Sequence, residues 1–281
     1  MERGKIVIAG CGFLGEATAG FFLEAGWRVL GLCATAESAA RLSGSPFAVA
    51  VSDISKPMAV PAGWSDPDVI LHCASSGRGG ADAYRAVYRD GLKNLLNAFS
   101  PKRLIFTGST SVYSQADGSW VNEESPAEPD RETGEILLEA EKIALDSGGI
   151  VARLAGIYGP GRSVLLKKFL DGSALLEAGG HRWINQIHRD DGARALLALA
   201  QNEMASGVYN VCDDTPTSQR EIYGWIAGFL NRPLPPEGPA DLNRKRGWTS
   251  KRISNRRLRS AGWMPVYPSY KAALPELIAS A

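Results

Sequence analysis

The chain has 281 residues, 44% of them apolar, and a formal net charge of +1; it holds enough hydrophobic material for a large core, which excludes disordered and fibrous classes. The near-neutral balance removes any general electrostatic reason to bind nucleic acid or an anionic membrane, so the expected partner is a small molecule. Cys11, Cys33, Cys73 and Cys212 lie far apart in apolar runs and His72, His181 and His188 form no cluster with them, so neither a disulfide framework nor a metal site is expected.

The opening Met-Glu-Arg-Gly-Lys lacks a signal peptide's apolar core and no apolar run approaches ~20 residues, so a cytoplasmic protein is expected. "KIVIA" (5–9) reads as a buried parallel strand. "GEATAGFFLEA" (15–25) has helical spacing and stops at Gly26, a C-cap, before "WRVLGL" resumes strand character. Alternation continues through "FAVAVSD" (47–53), "DVILHCAS" (68–75), a helix at 84–99, "RLIFTGST" (103–110), a helix at 134–149 and "GIVARLAGIYGPG" (149–161). Such alternation predicts an α/β fold with a doubly wound parallel sheet. Beyond residue 162 come "VLLKKFLDG", "GARALLALAQN", "GVYNVCDD", "SQREIYGWIAGFLNRP" and a basic tail. The expected organisation is a nucleotide-binding domain over 1–162 and a smaller, mostly helical substrate lobe over 163–281 that returns one strand to the sheet.

Gly10, Gly12 and Gly15 form G-x-G-x-x-G between the first strand and first helix. The first glycine permits the tight turn, the second lets backbone approach a pyrophosphate and the third allows close helix packing. In this context the stretch Gly10, Cys11, Gly12, Phe13, Leu14 and Gly15 is expected to cradle a dinucleotide on a Rossmann sheet. The second strand ends in Cys33, Ala34 and Thr35, without the carboxylate that normally holds the ribose hydroxyls and repels a 2′-phosphate. Thr35, Ser38 and Arg41 stand close enough in sequence to receive that phosphate, so NADP is preferred to NAD. Asp53 and Ile54 after the third strand, and Ala74 and Ser75 after the fourth, are candidates for the adenosine side; Asp53 equally suits a turn cap.

Together "AGCGFLG", "SDIS", "FTGSTSVY", the E-x-x-P of "NEESPAEP", "RLAGIYGPGR", "IHRDDGA" and "YNVCDD" resemble, in order and over nearly the whole chain, the extended short-chain dehydrogenase/reductase family, whose members include NAD(P)-dependent epimerases and dehydratases of nucleotide sugars. The family opens with a longer glycine spacing; the shorter one here, with "IHRDD" and "RLAGIYGPGR", is similar to an atypical branch. The resemblance implies chemistry by a Ser/Thr, Tyr and Lys set in which Tyr exchanges a proton with substrate oxygen and Lys lowers the Tyr pKa. It puts Ser109 at the catalytic hydroxyl, with Thr110 and Ser111 beside it as substrate contacts. If Glu141 is the family's helix glutamate, Thr133 stands at the Tyr position and Leu137 at the Lys position. The usual pair is then absent. Tyr267 and Lys271 repeat the spacing but lie far from that helix.

Tyr113, Tyr158, Glu135 and the neutral-pH titrator His188 are candidates for the lost proton transfer, with Tyr113 and His188 taken as catalytic and Tyr158 as a substrate contact; packing or loop-fixing roles compete in each case. Arg162, Lys167, Lys168, Arg182, Arg244, Lys245, Arg246, Lys251 and Arg252 make the second lobe basic, which suits a phosphate or carboxylate; Arg162 is the first choice for substrate. The resemblance also implies pairing into a homodimer through the helices at 84–99 and 134–149. Two functions stand side by side: an NAD(P)-dependent oxidoreductase or epimerase acting on a polar, nucleotide-linked sugar, and a non-catalytic NAD(P)-binding sensor or scaffold.

Overall fold

Alternate residues of the first strand, β1 (Lys5–Ala9), send Ile6 and Ile8 to one hydrophobic cluster and Val7 and Ala9 to another, because successive side chains of a strand point to opposite faces. Apolar residues on both faces require cover on both sides. The computed structural model describes residues 3–77, 79–241 and 248–281; Arg244, Lys245 and Arg246 lie outside the described residues.

The sheet contains β1, β2 (Arg28–Cys33), β3 (Ala48–Val51), β4 (Val69–His72), β5 (Arg103–Ser109), β6 (Ile150–Leu154) and β7 (Gly207–Val211). All neighbours run parallel in the order β7-β6-β5-β4-β1-β2-β3. The order reverses between β1 and β4, the switch point where doubly wound sheets open a ligand crevice at their carboxyl ends.

The first helix, α1 (Phe13–Glu24), ends as Gly26 takes φ +82° and donates to the Leu23 carbonyl at 2.8 Å, a left-handed stop that glycine adopts without Cβ strain. A short α2 (Ala36–Ala40) follows. The third helix, α3, is composite: Ala81–Tyr84, a π-helical segment Arg85–Asp90, then Gly91–Ala98. It packs with α4 (Glu132–Asp146) on the Val7 face.

Past residue 162, α5 (Val164–Leu170), α7 (Gln219–Leu230) and α9 (Tyr270–Ala279) enclose a third cluster around Phe169, Tyr223 and Tyr270; α8 (Arg256–Ser260) is short. Two elements of this region belong to the first body instead. The helix α6 (Arg189–Gln201) packs on α1 on the Ile6 face, and β7 forms the sheet's edge beside β6.

One buried ion pair fixes α4 to the sheet. Arg153 Nε lies 3.1 Å from both Glu141 carboxylate oxygens and its NH2 lies 2.7 Å from Oε2. Burial pushes the Glu141 carboxyl up and the Arg153 hydrogen bonds oppose it. Gly108 leaves the room: a methyl group there would fall 2.7 Å from Glu141 Oε1. Removing one partner of such a pair leaves an uncompensated buried charge. Glu141→Ala is therefore expected to cost about 3–5 kcal/mol in urea unfolding, whereas pairing Glu141→Leu with Arg153→Met recovers most of the loss.

Candidate functional site

Where β1 gives way to α1, Gly10 adopts φ +96°. Its amide and that of Cys11 both donate to the Leu32 carbonyl, at 3.0 and 3.2 Å, tying the turn to β2. A Cβ on Gly10 would stand 2.3 Å from the Ala74 Cα, and one on Gly15 would stand 2.2 Å from the Gly10 carbonyl oxygen. Gly12 differs: a Cβ there meets nothing within 4 Å. Gly12 is also the N-cap of α1 and supplies no side-chain cap, so the first-turn amides retain their donor capacity and the positive end of the helix dipole. Three glycines thus have three separate duties, two steric and one that keeps space open for a ligand.

These residues line a groove of about 610 Å³ along the carboxyl ends of the strands. Its walls include Gly10 to Gly15, Ser38, Arg41, Ala74, Ser75, Tyr84, Tyr88, Thr107, Gly108, Ser109, Leu137 and Arg162. Arg162 and Arg189 place their guanidiniums 4.9 and 5.2 Å from the Phe13 ring centre, adding positive charge beside the helix N-terminus. Cys11, Cys33 and Cys73 also line the groove, and burial pushes each thiol up, Cys11 and Cys73 to about 12. They are protonated spacers rather than nucleophiles.

Ser109 caps the turn that follows β5, accepting from the Ser111 amide at 3.2 Å. A serine hydroxyl in that arrangement still has its proton to donate. Leu137, at the position where the resemblance expects lysine, presents an apolar wall to the groove.

Several candidates from the sequence stand outside the groove. Tyr113 lies outside the groove and is fully buried; its hydroxyl accepts from Arg153 at 2.8 Å and donates to Asn210 Oδ1 at 3.0 Å. Burial pushes that phenol up, against the pull of Arg153. His188 is fully buried as the N-cap of α6, its Nδ1 accepting from the Asp190 amide at 3.3 Å while Nε2 stands 3.3 Å from Glu276 Oε2. Burial holds its imidazole below the ordinary value, partly offset by Asp190 and Glu276. The buried Tyr158 packs edge-on to His188 with its hydroxyl unpartnered among the described residues, and burial drives it far up. None of these three side chains lines the groove.

Local hydrogen bonds claim others. Thr35 accepts from the Ser38 amide at 3.1 Å and so caps α2. Asp53 accepts from the Ser55 hydroxyl and amide at 2.7 and 3.1 Å, bonds that hold its carboxyl below the usual range. The Ile54 side chain is buried against Gly91, and its carbonyl accepts from Asn94 at 2.8 Å. Thr110 Oγ1 donates to the Leu154 carbonyl at 3.4 Å, and Ser111 is half-buried behind Ser109. Conversely, sequence reasoning passed over Tyr84 and Tyr88, whose four-residue spacing on one helix face was their only signal, and Thr107, whose hydroxyl donates to the His72 carbonyl at 2.9 Å.

Over residues 6–212 the chain matches the family model described as the NAD-dependent epimerase/dehydratase family. The chain belongs to that family. It is 30% identical over 243 residues to Protein YeeZ of Escherichia coli strain K12, covering 80% of this chain and 84% of that one. A functionally unknown conserved protein from Silicibacter pomeroyi DSS superimposes with a TM-score of 0.79 at 26% identity over 99% of each chain. UDP-glucose 4-epimerase from Thermotoga maritima, solved with UDP-glucose, shares the fold with a TM-score of 0.80 at 17% identity over 98% of each chain. Family membership carries the cofactor class, NAD(P), and the glycine turn with its open N-cap fits such a dinucleotide's pyrophosphate. Among the described residues, no helix is long and apolar enough to cross a membrane, and no group of three or more His, Cys, Asp or Glu is arranged to hold a metal ion.

One further group is tied to the segment that follows Ser109. Lys251 is buried and donates to the Tyr113 carbonyl at 2.6 Å. Burial, reinforced by Arg182 and opposed by Asp130, lowers it from 10.5 to about 8.

Two predictions follow from this geometry. A Cβ at Gly12 meets nothing within 4 Å and serine is a good N-cap, so Gly12→Ser is expected to keep wild-type thermal stability while its side chain competes for the first-turn amides and weakens NADPH binding in a nicotinamide-fluorescence titration; Gly15→Ala is expected to lose stability itself. For Lys251, the unfolded chain binds more protons than the folded one between pH 8 and 10.5, so stability from this group rises with pH across that window. The stability of wild type relative to Lys251→Met, from urea unfolding, is expected to grow between about pH 7.5 and about pH 10.

Proposed function

We propose that this chain is an NADP-preferring oxidoreductase or epimerase acting on a hydroxyl or carbonyl group of a polar, nucleotide-linked sugar, and that it works without the usual Tyr-x-x-x-Lys pair. The observation that carries this reading is the shared groove: Ser109, at the end of β5, lines the same cleft as the glycine turn and the open N-terminus of α1. A bound nicotinamide supplies a hydride acceptor or donor.

The chain's own residues supply binding and orientation. The first-turn amides of α1 suit the pyrophosphate. With Thr35 committed to its cap, Ser38 and Arg41 are the groove residues left to meet a 2′-phosphate, and a guanidinium can grip phosphate with two parallel hydrogen bonds. The Ser109 hydroxyl donates to the substrate oxygen, and Arg162 stands at the groove wall to meet an anionic substrate group. The same fold in Thermotoga maritima UDP-glucose 4-epimerase takes UDP-glucose, which supports a sugar linked to a nucleotide. In this reading residues 163–281, apart from α6 and β7, form the substrate lobe, and two copies pair through α3 and α4.

Titration with NADPH and NADH, followed by nicotinamide fluorescence, tests the cofactor preference. NADPH is expected to bind more tightly, and Arg41→Ala to weaken NADPH about tenfold while leaving NADH unchanged. Equal affinities for the two would remove the 2′-phosphate argument. Once a sugar-nucleotide substrate turns over, Ser109→Ala is expected to abolish turnover with NADPH affinity retained.

A further inference from the structure

Family chemistry needs a phenol near Ser109, and neither Thr133 nor Leu137 supplies one. On the facing helix, the π-helical segment of α3 carries Arg85, Tyr88 and Arg89. Arg85 is ion-paired with Glu132, and Arg89 NH1 lies 3.6 Å from Glu139 Oε2. These two pairs bracket the stretch of α4 that contains Thr133 and Leu137. Arg85 and Arg89, four apart, tie the π-helical segment to α4, and Tyr88 lies within that segment.

The Tyr88 ring is packed among aromatic neighbours, with centroids 5.0 Å from Tyr84, 6.0 Å from His72 and 6.4 Å from Phe106. His72 Nε2 lies 2.9 Å from the Val87 carbonyl oxygen, fixing the π-helical turn to β4. The ring is therefore held on three sides. Tyr88 also lines the groove that Thr107, Gly108, Ser109 and Leu137 line. Its hydroxyl makes no hydrogen bond among the described residues, yet it is not one of the buried unpartnered polar atoms. A π-turn inserted in a helix shifts the side chains that it presents, and such turns recur at functional sites.

Resting on the function proposed above, we propose that Tyr88 is the proton-transferring residue of this site, presented by the π-helical turn of α3 in place of the missing tyrosine of α4. In the reducing direction, the substrate carbonyl carbon takes a hydride, for which reduced NADP is the donor. The carbonyl π electrons move onto oxygen, and that oxygen takes the proton from Tyr88 Oη; Ser109 holds it in place. The phenolate left behind regains its proton from solvent through the open groove. A phenol is a stronger acid than an alcohol, so transfer of its proton to an alkoxide runs downhill. In the oxidising direction the same atoms move in reverse.

Tyr88→Phe keeps the ring and removes only the hydroxyl, so it tests the chemistry without a packing defect. Tyrosine ionisation is followed by difference absorbance during pH titration, with and without NADP⁺, in wild type and Tyr88→Phe, while NADP⁺ affinity is measured on both. The cationic nicotinamide ring beside the phenol is expected to lower one tyrosine's ionisation midpoint by about one pH unit in the wild type, and this shift is expected to be missing from Tyr88→Phe at unchanged NADP⁺ affinity. Matching titrations in the two proteins, with NADP⁺ bound to both, would overturn the assignment and leave the cofactor reading standing. Failure of the folded wild type to bind NADP⁺ or NADPH would overturn both.

Discussion

At the end of β1 the Gly10 backbone runs against residue 74 so closely that a single methyl group would fall 2.3 Å from the Ala74 Cα. No side chain larger than hydrogen is compatible with that approach, and the geometry of the groove descends from it. Because β1 and β4 converge there, at the reversal of strand order, the turn can pass over the sheet's edge and start α1 directly above the crevice. Gly15 then meets the Gly10 carbonyl, which sets the depth of the helix. Phe13 in turn receives the guanidiniums of Arg162 and Arg189, so two arginines from distant segments gather at the anion-binding end.

A second constraint sorts the polar residues into those that can serve a ligand and those that cannot. A buried polar group must be paired, and once paired with two partners it has nothing left to offer a substrate. Tyr113 is spent in this sense between Arg153 and Asn210. His188 uses Nδ1 for a helix cap, while its buried Nε2, 3.3 Å from Glu276 Oε2, makes no hydrogen bond among the described residues and lies away from the groove. Ser109 and Tyr88 retain unused hydrogen-bonding capacity and face open space. What a hydroxyl can offer a ligand here depends on its remaining hydrogen-bonding capacity, not on its residue type.

The same distinction explains what could be read from sequence. The glycine turn, the parallel strands and the left-handed stop at Gly26 are local: each depends on residues within a few positions, and periodicity or steric need exposes it. The competing uses of Thr35 and Asp53 are local too. They remained ambiguous because a side chain that caps its own turn has the same sequence signature as one that meets a ribose. The fate of Tyr113 was hidden for another reason, since its partners Arg153 and Asn210 stand 40 and 97 positions away and only the assembled sheet brings them together. Tyr88 was hidden by helix type. An α-helical reading of 84–99 places its residues on regular faces, whereas the π-helical turn at Arg85–Asp90 alters that phase in the segment that reaches the groove.

The segment that follows Ser109 shows how the two parts of the chain are joined. Lys251 donates to the Tyr113 carbonyl and Asn185 to the Lys251 carbonyl, at 2.6 and 2.9 Å, while the Ser250 amide donates to Gln115 at 3.1 Å and the Gly118 amide to Ser250 at 2.7 Å. A strap from the C-terminal region therefore runs between the turn that follows β5 and the segment that precedes α6. Two of these four bonds run between backbone atoms, and the other two use the side chains of Lys251 and Asn185. The buried ammonium of Lys251 is the costly one of the two, because its desolvation is met by one carbonyl.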